Sequence, residues 1–395
     1  MNLHTAFLFF SVLCCIGITH CRSQNMSERA SWTQEYTFSF IKYNRYFSTI
    51  INITPKTTET RISIPCLNVE RQLLNITGQS FNVTRRPRCE TVQIFSTADI
   101  NVHGMMFSSV GLTAGFLALP HEQLGKEYLV DCYTPINRSA QVAIAAIFDN
   151  TTITIYCADN CTFENARVSG EIKLGAGESG ILTGVKNETE MTGTYIRSDE
   201  PISVIVGALS VYIPRDNLDK GHGVILEQLL PIPSWGIDHI VPPFQQTPNG
   251  WILRILAMNE STIISTTDCG EEAPSSQTLE SKDYMDITVK GTSQNLCLIQ
   301  ANKPIQVMQY VAGSHKNRDD GDPSMTIIPA VKNYLGNTTV CVNKTTSGMR
   351  YFGDIVVMGE ETPMLHFKGS LVPEMNRTCY NISSRPIEGS ESYTT

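Results

Sequence analysis

After Thr19 the sequence has no uncharged apolar run near the roughly 20 residues that a membrane helix needs. The best, Ile202 to Ile213, is bracketed by Pro201 and Pro214 and reads as a buried strand. The C-terminus, GSESYTT, carries no lipidation or anchor signal, so membrane insertion is not expected. Basic clusters are absent, and a net charge of −8 argues against nucleic acid as a partner. There is no CxxC pair, which removes zinc ribbons and thioredoxin-like sites. HExxH and GxSxG are missing too, so zinc hydrolysis and the serine nucleophile lack their local signatures. A carboxylate pair of the glycosidase kind leaves no such trace, and an extracellular hydrolase stands as a third reading behind two binding ones. No stretch keeps an apolar 3.6-residue period for three turns, which excludes a helical fold.

What is present points to the secretory route. Ala6 to Thr19 is apolar, uncharged and too short to span a bilayer, so 1–21 reads as a signal peptide. Cleavage after Thr19, Cys21 or Ser23 fits equally, and the choice decides whether Cys21 is retained. Thirteen of 24 Asn begin an N-x-S/T sequon: Asn25, Asn52, Asn75, Asn82, Asn137, Asn150, Asn160, Asn187, Asn259, Asn337, Asn343, Asn376 and Asn381. Chance placement gives about four, so the excess argues for N-glycosylation of exposed turns. The cysteines beyond the leader are scattered at long spacings, the pattern of disulfides.

Period-2 alternation runs through the chain and makes the fold all-β. The strands also recur in order. Thr60 to Cys66 (TRISIPC) matches Thr151 to Cys157 (TTITIYC), with Ser261 to Thr267 a looser copy. Each is followed by a second signature: Ser96 to Val102, Ser198 to Val204, Ala301 to Val307. Between units lies a third, beginning at Leu119, Leu230 and Ile328. This predicts three related antiparallel units near 46–110, 127–214 and 238–315, a partial fourth at 328–370, an N-terminal segment 22–45 and a polar tail 371–395. Each unit holds enough short strands for a small β-sandwich; a β-propeller built from the same strands is the alternative. The only helix expected is a short connection near Glu122 to Gly125.

In this plan a Cys shortly after the TxIxI strand closes back within its own unit. It pairs Cys66 with Cys89, Cys269 with Cys297 and, in the partial unit, Cys341 with Cys379. Cys157 then pairs with Cys161 or with Cys132. A leftover Cys132 either links two chains in a disulfide-bonded dimer, is buried, or pairs with Cys21.

Other motifs have plain readings. Gly175 to Gly180 fits GxGxxG but lies between strands, so it is a hairpin turn and no cofactor is expected. Asp319, Asp320 and Asp322 crowd one loop as weak Ca²⁺ candidates, without EF-hand spacing or a closing Glu. Trp235 and Trp251 are residues to test for sugar stacking, with burial at a packed junction the favoured reading.

Six clusters together resemble the N-terminal domain family named for IgGFc-binding protein, over about residues 46–370. They are Phe116 to Pro120 with Leu124, Gly125 and Tyr128; Asp149 to Thr152; Thr192 to Thr194 with Ser198, Asp199 and Pro201; Glu227 to Leu229 with Pro231 and Ser234 to Gly236; Lys303 to Ile305 with Val307 to Tyr310; and Gly321 to Met325. The resemblance implies a secreted, non-catalytic glycoprotein of mucus or extracellular matrix, acting through cell-adhesive contacts with other glycoproteins or mucins. A lectin-like or microbe-binding module that takes glycans is the second reading. IgG Fc binding belongs to particular members and no motif here encodes it. Two departures stand out. Relatives often have Cys just before the EQLxP stretch, where this chain has Gly221 to Gly223, and a polar tail replaces the strands expected after Phe367, as in a fragment or splice form.

Overall fold

The structure, a computed structural model, describes residues 32–334 apart from short loops at 44–45, 76–77, 85–88, 110, 165, 169, 216–220, 243–248, 271–272, 291–295 and 314–321, together with short strands at 6–7, 337–343, 351–352, 368–372 and 377–383. The expected signal peptide, apart from 6–7, and Gly353 to Phe367 lie outside these residues.

One eight-strand plan recurs three times. In the first unit, Gln34–Ser39, Thr91–Ser96, Arg61–Ile64 and Val69–Leu73 form one antiparallel sheet in that order. Gln79–Asn82, Phe47–Pro55, Ile100–Ser108 and Thr113–Leu117 form the other. The second unit repeats the first sheet as Gly125–Leu129, Tyr195–Val211, Thr151–Tyr156 and Glu171–Leu174, and the second as Ser179–Gly184, Gln141–Ala146, Tyr195–Val211 and Gly223–Gln228. The third uses Gly236–Val241, Cys297–Val311, Thr262–Thr267 and Ser276–Leu279, then Tyr284–Val289, Trp251–Ala257, Cys297–Val311 and Ser324–Ile328. The sheets pack face to face: in the first unit Phe38 of one meets Phe116 of the other edge-on at 5.4 Å. The units are sandwiches, and the propeller alternative falls away.

One strand serves both sheets in the later units because it bends at the PIxV signature. Gly125 pairs with Ile202 but Glu127 with Arg197, and Gly236 pairs with Ile305 but Asp238 with Gln300. The extra residues form a bulge that takes in Pro201 or Pro304, a place where a strand tolerates proline. In the first unit the same point, Thr97 to Asp99, breaks the strand in two. The turn before each TxIxI strand also repeats. Glu59, Asn150 and Ser261 have positive φ, and the hydroxyls of Thr60, Thr151 and Thr262 donate to the carbonyls of Thr57, Phe148 and Asn259.

The strand Gln34–Ser39, placed by sequence in an N-terminal segment, belongs to the first sandwich, where it pairs with Thr91–Ser96 and buries Tyr36 and Phe38. It is the counterpart of Gly125–Leu129 and Gly236–Val241. Each sandwich likewise runs past its expected end, to Leu117, Gln228 and Ile328. Those last strands carry no signature repeated across the three units.

The sandwiches share walls. In the second unit Val142, Ile144, Val204 and Val206 face their own core, while Ala143, Ile181 and Ile205 from the opposite face join the core of the first unit. In the third, Met308 and Tyr310 face the second unit and Val307 and Val311 their own core. Sheets covered on both sides need no polar face, so Trp251–Ala257 and Gly223–Gln228 are buried at every position. The outer sheets alternate, as in Thr151–Tyr156.

The third signature is a repeated linker. A Pro-containing corner enters a single 3-10 turn at His121–Gln123, Ile232–Ser234 or Val331–Asn333 and passes into the next strand. The linkers stack: a Cβ on Gly125 would lie 2.4 Å from the Pro231 Cβ, and one on Gly236 would lie 2.4 Å from the Ala330 Cβ. Only glycine fits such an approach. Disulfides Cys66–Cys89 and Cys269–Cys297 tie equivalent points of the first and third sandwiches, while the second has the short Cys157–Cys161 loop. In the three-stranded sheet of Asn337–Asn343, Arg377–Ser383 and Lys368–Val372, backbone register sets Cys341 opposite Cys379.

Candidate binding surface at the unit junctions

The family-like clusters converge where the sandwiches meet. Glu227 and Gln228, both buried, reach in opposite directions from one strand. Gln228 Oε1 accepts from the Leu119 N–H of the first linker at 3.0 Å, and its Nε2 donates to Ser203 Oγ at 3.1 Å. Glu227 accepts from the Gln228 N–H at 3.0 Å and from the Ile327 N–H of the third unit at 3.4 Å. Burial pushes the Glu227 carboxyl up to about 8, against the pull of those N–H groups. One dipeptide therefore ties the first linker, the second sandwich and the third together.

Between the second and third units lies a buried charged cluster. Arg254 donates to both carboxylate oxygens of Asp286, at 2.7 and 2.8 Å, and to Thr192 Oγ1 at 3.1 Å. Its guanidinium sits 4.2 Å from the centroid of Tyr284 and 5.5 Å from that of Tyr310. Asp131, fully buried, accepts from the Tyr310 hydroxyl at 2.6 Å and lies 3.9 Å from Arg254. Burial pushes the Asp131 carboxyl up to about 6, opposed by Arg254 and Tyr310. Burial alone would lower the Arg254 pKa, but the Asp286 hydrogen bonds and the nearby negative charge hold it above its ordinary value. Sequence reasoning missed this cluster. The available signal was one charge inside the run WILRILA.

Asp322, one of the calcium candidates, belongs to the junction between the first and third units. Burial raises its carboxyl to about 7 while the Thr113 N–H donates to it. Pro323 beside it packs so closely on Gly223 that a Cβ there would lie 2.6 Å from the proline Cδ. A buried carboxyl in this protonation range is a poor cation ligand, and no group of three or more His, Cys, Asp or Glu side chains suited to a metal occurs among the described residues. Asp319 and Asp320 lie outside the described residues.

The junction between the first and second units is built differently. It leaves a half-open groove of about 270 Å³, with Tyr46, Phe47 and Leu112 on one side and Leu209, Ser210 and His222 on the other. Ser210 has φ 67° at a bulge between Leu209 and Val211, a conformation that re-aims a strand residue and that L-residues seldom adopt. Arg138 also lines the groove and is exposed; among the described residues its guanidinium forms no hydrogen bond or ion pair.

Other expected sites fall as follows. Cys132 is fully buried and unpaired, its thiol pKa driven far up by burial, so it is out of reach of a second chain and the dimer-linking reading is corrected. Asn52 is 3% exposed inside a strand; its Nδ2 donates to Met105 Sδ and its Oδ1 accepts from Ser80 Oγ, leaving no room for a glycan. Asn75, Asn82, Asn137, Asn150, Asn160, Asn187 and Asn259 are exposed. Asn337, Asn343 and Asn381 lie on strands described by backbone alone, and Asn25 and Asn376 lie outside the described residues. Trp235 and Trp251 are 2% and 3% exposed, so both are core and neither offers a sugar platform. Gly175 to Gly180 bridges two strands as a hairpin, with Gly177 at φ 74°.

Comparison with known proteins places this geometry. A human protein, IgGFc-binding protein (Homo sapiens), is 22% identical over 223 residues, which are 55% of this chain and 4% of that relative, so the chain spans a small part of the relative's length. No solved structure matches. Residues 114–372 match the family described as IgGFc binding protein. That match covers well over half of the chain and takes in the Glu227–Gln228 clasp, the Arg254 cluster and the Asp322 contact: the chain belongs to the IgGFc binding protein family.

Proposed function

We propose that this chain is a secreted, N-glycosylated, non-catalytic binding protein that works through contacts with other glycoproteins of mucus or extracellular matrix. The observation that carries the reading is where the strongly perturbed groups lie. Asp131, Glu227, Asp322 and His239 are spread over separate places in the packing between units and linkers, and none of them lines the groove found among the described residues, where an active site would gather such groups in one cleft. The three disulfides and the exposed sequons suit an oxidising, extracellular setting. No described helix is long and apolar enough to cross a membrane. The family's name, borne by a human relative that binds IgG Fc by its title, makes protein or glycoprotein binding the activity to test first.

The test is expression of the full chain, with its own N-terminus, in animal cells. The expected result is protein in the medium that loses several kilodaltons on treatment with peptide-N-glycosidase F and that retains purified mucin when immobilised. A chain held inside the cells, unchanged in mass by the glycosidase, contradicts the proposal.

A further inference from the structure

We infer that the groove at the first junction is a binding site for a carboxylated sugar, whose carboxylate pairs with Arg138 and whose ring lies against the apolar wall. Three observations converge on it. The groove has an aromatic and aliphatic lining from Tyr46, Phe47, Leu112 and Leu209, which suits the apolar face of a pyranose. Two polar groups in it, the Arg138 guanidinium and the Ser210 hydroxyl, form no hydrogen bond with the described residues. In a chain of net charge −8, an exposed cation without a partner among the described residues beside an apolar groove favours a ligand with one negative charge. The third observation is the backbone: Ser210 is held at φ 67° by a bulge, a sparsely populated state of the kind concentrated at ligand sites.

Among the described strands Phe47 pairs with Ser108 and Leu209 with Val224, each on one side, so a peptide is kept as a competitor in the test. What favours the sugar is the lining, since a pyranose takes hydroxyl and charged donors with a flat apolar partner. Nor is the groove an inevitable gap between sandwiches, since the second junction is filled by the Arg254 cluster. The inference rests on the extracellular-binding reading only for the source of the sugar, a sialylated glycan or a uronic-acid polymer.

The experiment uses purified full-length chain, with saturation-transfer NMR and calorimetric titration. The probes are 3′-sialyllactose, a hyaluronan tetrasaccharide, neutral lactose and an N-acetylated glutamate-containing peptide. Binding of one or both carboxylated sugars, with lactose and peptide silent, is expected, and the responding sugar names the source. Arg138→Gln should weaken that binding by about tenfold or more, the scale of a lost charge-assisted pair. Ser210→Gly, which suits the local φ, should weaken it several-fold while leaving the melting midpoint unchanged or higher. The inference is overturned if neither carboxylated sugar binds, if lactose or the peptide binds as well, or if Arg138→Gln and Tyr46→Ala both leave affinity unchanged. It is also overturned if binding appears only after Asn137→Gln, because the groove then belongs to the chain's own neighbouring glycan. The titration does not depend on secretion, so failure here with normal export leaves the broader reading standing.

Discussion

Of the junctions between the three sandwiches, the one between the first and second units and the one between the second and third are filled differently. At the second, Arg254, Asp131 and Tyr310 are buried together, with Tyr310 donating to Asp131 across the units and Arg254 held by the partly exposed Asp286 of its own unit. At the first, Ala143, Ile181 and Ile205 pack into the first unit's core, and beside that contact a half-open apolar groove carries Arg138, whose guanidinium finds no partner among the described residues. A charge inside a junction holds the scaffold, whereas a charge at an open junction is available to a ligand. Identity of residue type therefore says little about role; burial and partners decide it.

The comparison can be broken most sharply at Arg254. Arg254→Ala strands Asp131 and removes the Asp286 pair, and it should destabilise the second and third units by about 3–5 kcal/mol in denaturant melts. Next is the linker stack. Gly236→Ala sets a Cβ against the Ala330 Cβ and should cost about 1–3 kcal/mol, where Gly175→Ala, in an exposed hairpin facing only the Glu178 side chain, should cost less. The clasp is tested by pH. The folded carboxyl of Glu227, raised from 4.5 to about 8, binds a proton that the unfolded chain has released. Its contribution is thus fully present below about pH 4.5 and is lost as pH rises through about 8. Glu227→Gln should flatten that decline, so the variant gains on the parent between pH 5 and 8; an unchanged slope would place the titration elsewhere. The smallest effect is chemical. Cys132 should resist iodoacetamide in the folded protein and react in denaturant, and the chain should run as a monomer on a non-reducing gel.

Much of the scaffold was legible because it repeats. Thr60, Thr151 and Thr262 start equivalent strands, the Pro-containing linkers recur with Gly125 and Gly236 at the same point, and the Cys66 and Cys269 spacings mark equivalent bridges. Gln34–Ser39 was missed because no linker signature precedes it. The site was far less legible. Asp322 looked like a surface acid among other acids, and only the fold carries it onto Thr113. Asn52 has a sequon like any other, and its burial follows from register against Ser80. Ser210 aims into the groove through a bulge that alternation of residue type does not announce.

The central claim is that one junction is scaffold and the other a site, and a crossed measurement on two arginine variants tests it directly. Melting midpoint and affinity for the carboxylated sugar are read on both Arg254→Ala and Arg138→Gln, at a temperature where both are folded. The account predicts that Arg254→Ala loses stability and keeps affinity, while Arg138→Gln keeps stability to within about 0.5 kcal/mol and loses affinity about tenfold. If both variants lose both properties, or Arg254→Ala alone abolishes binding, the division between the two junctions is wrong.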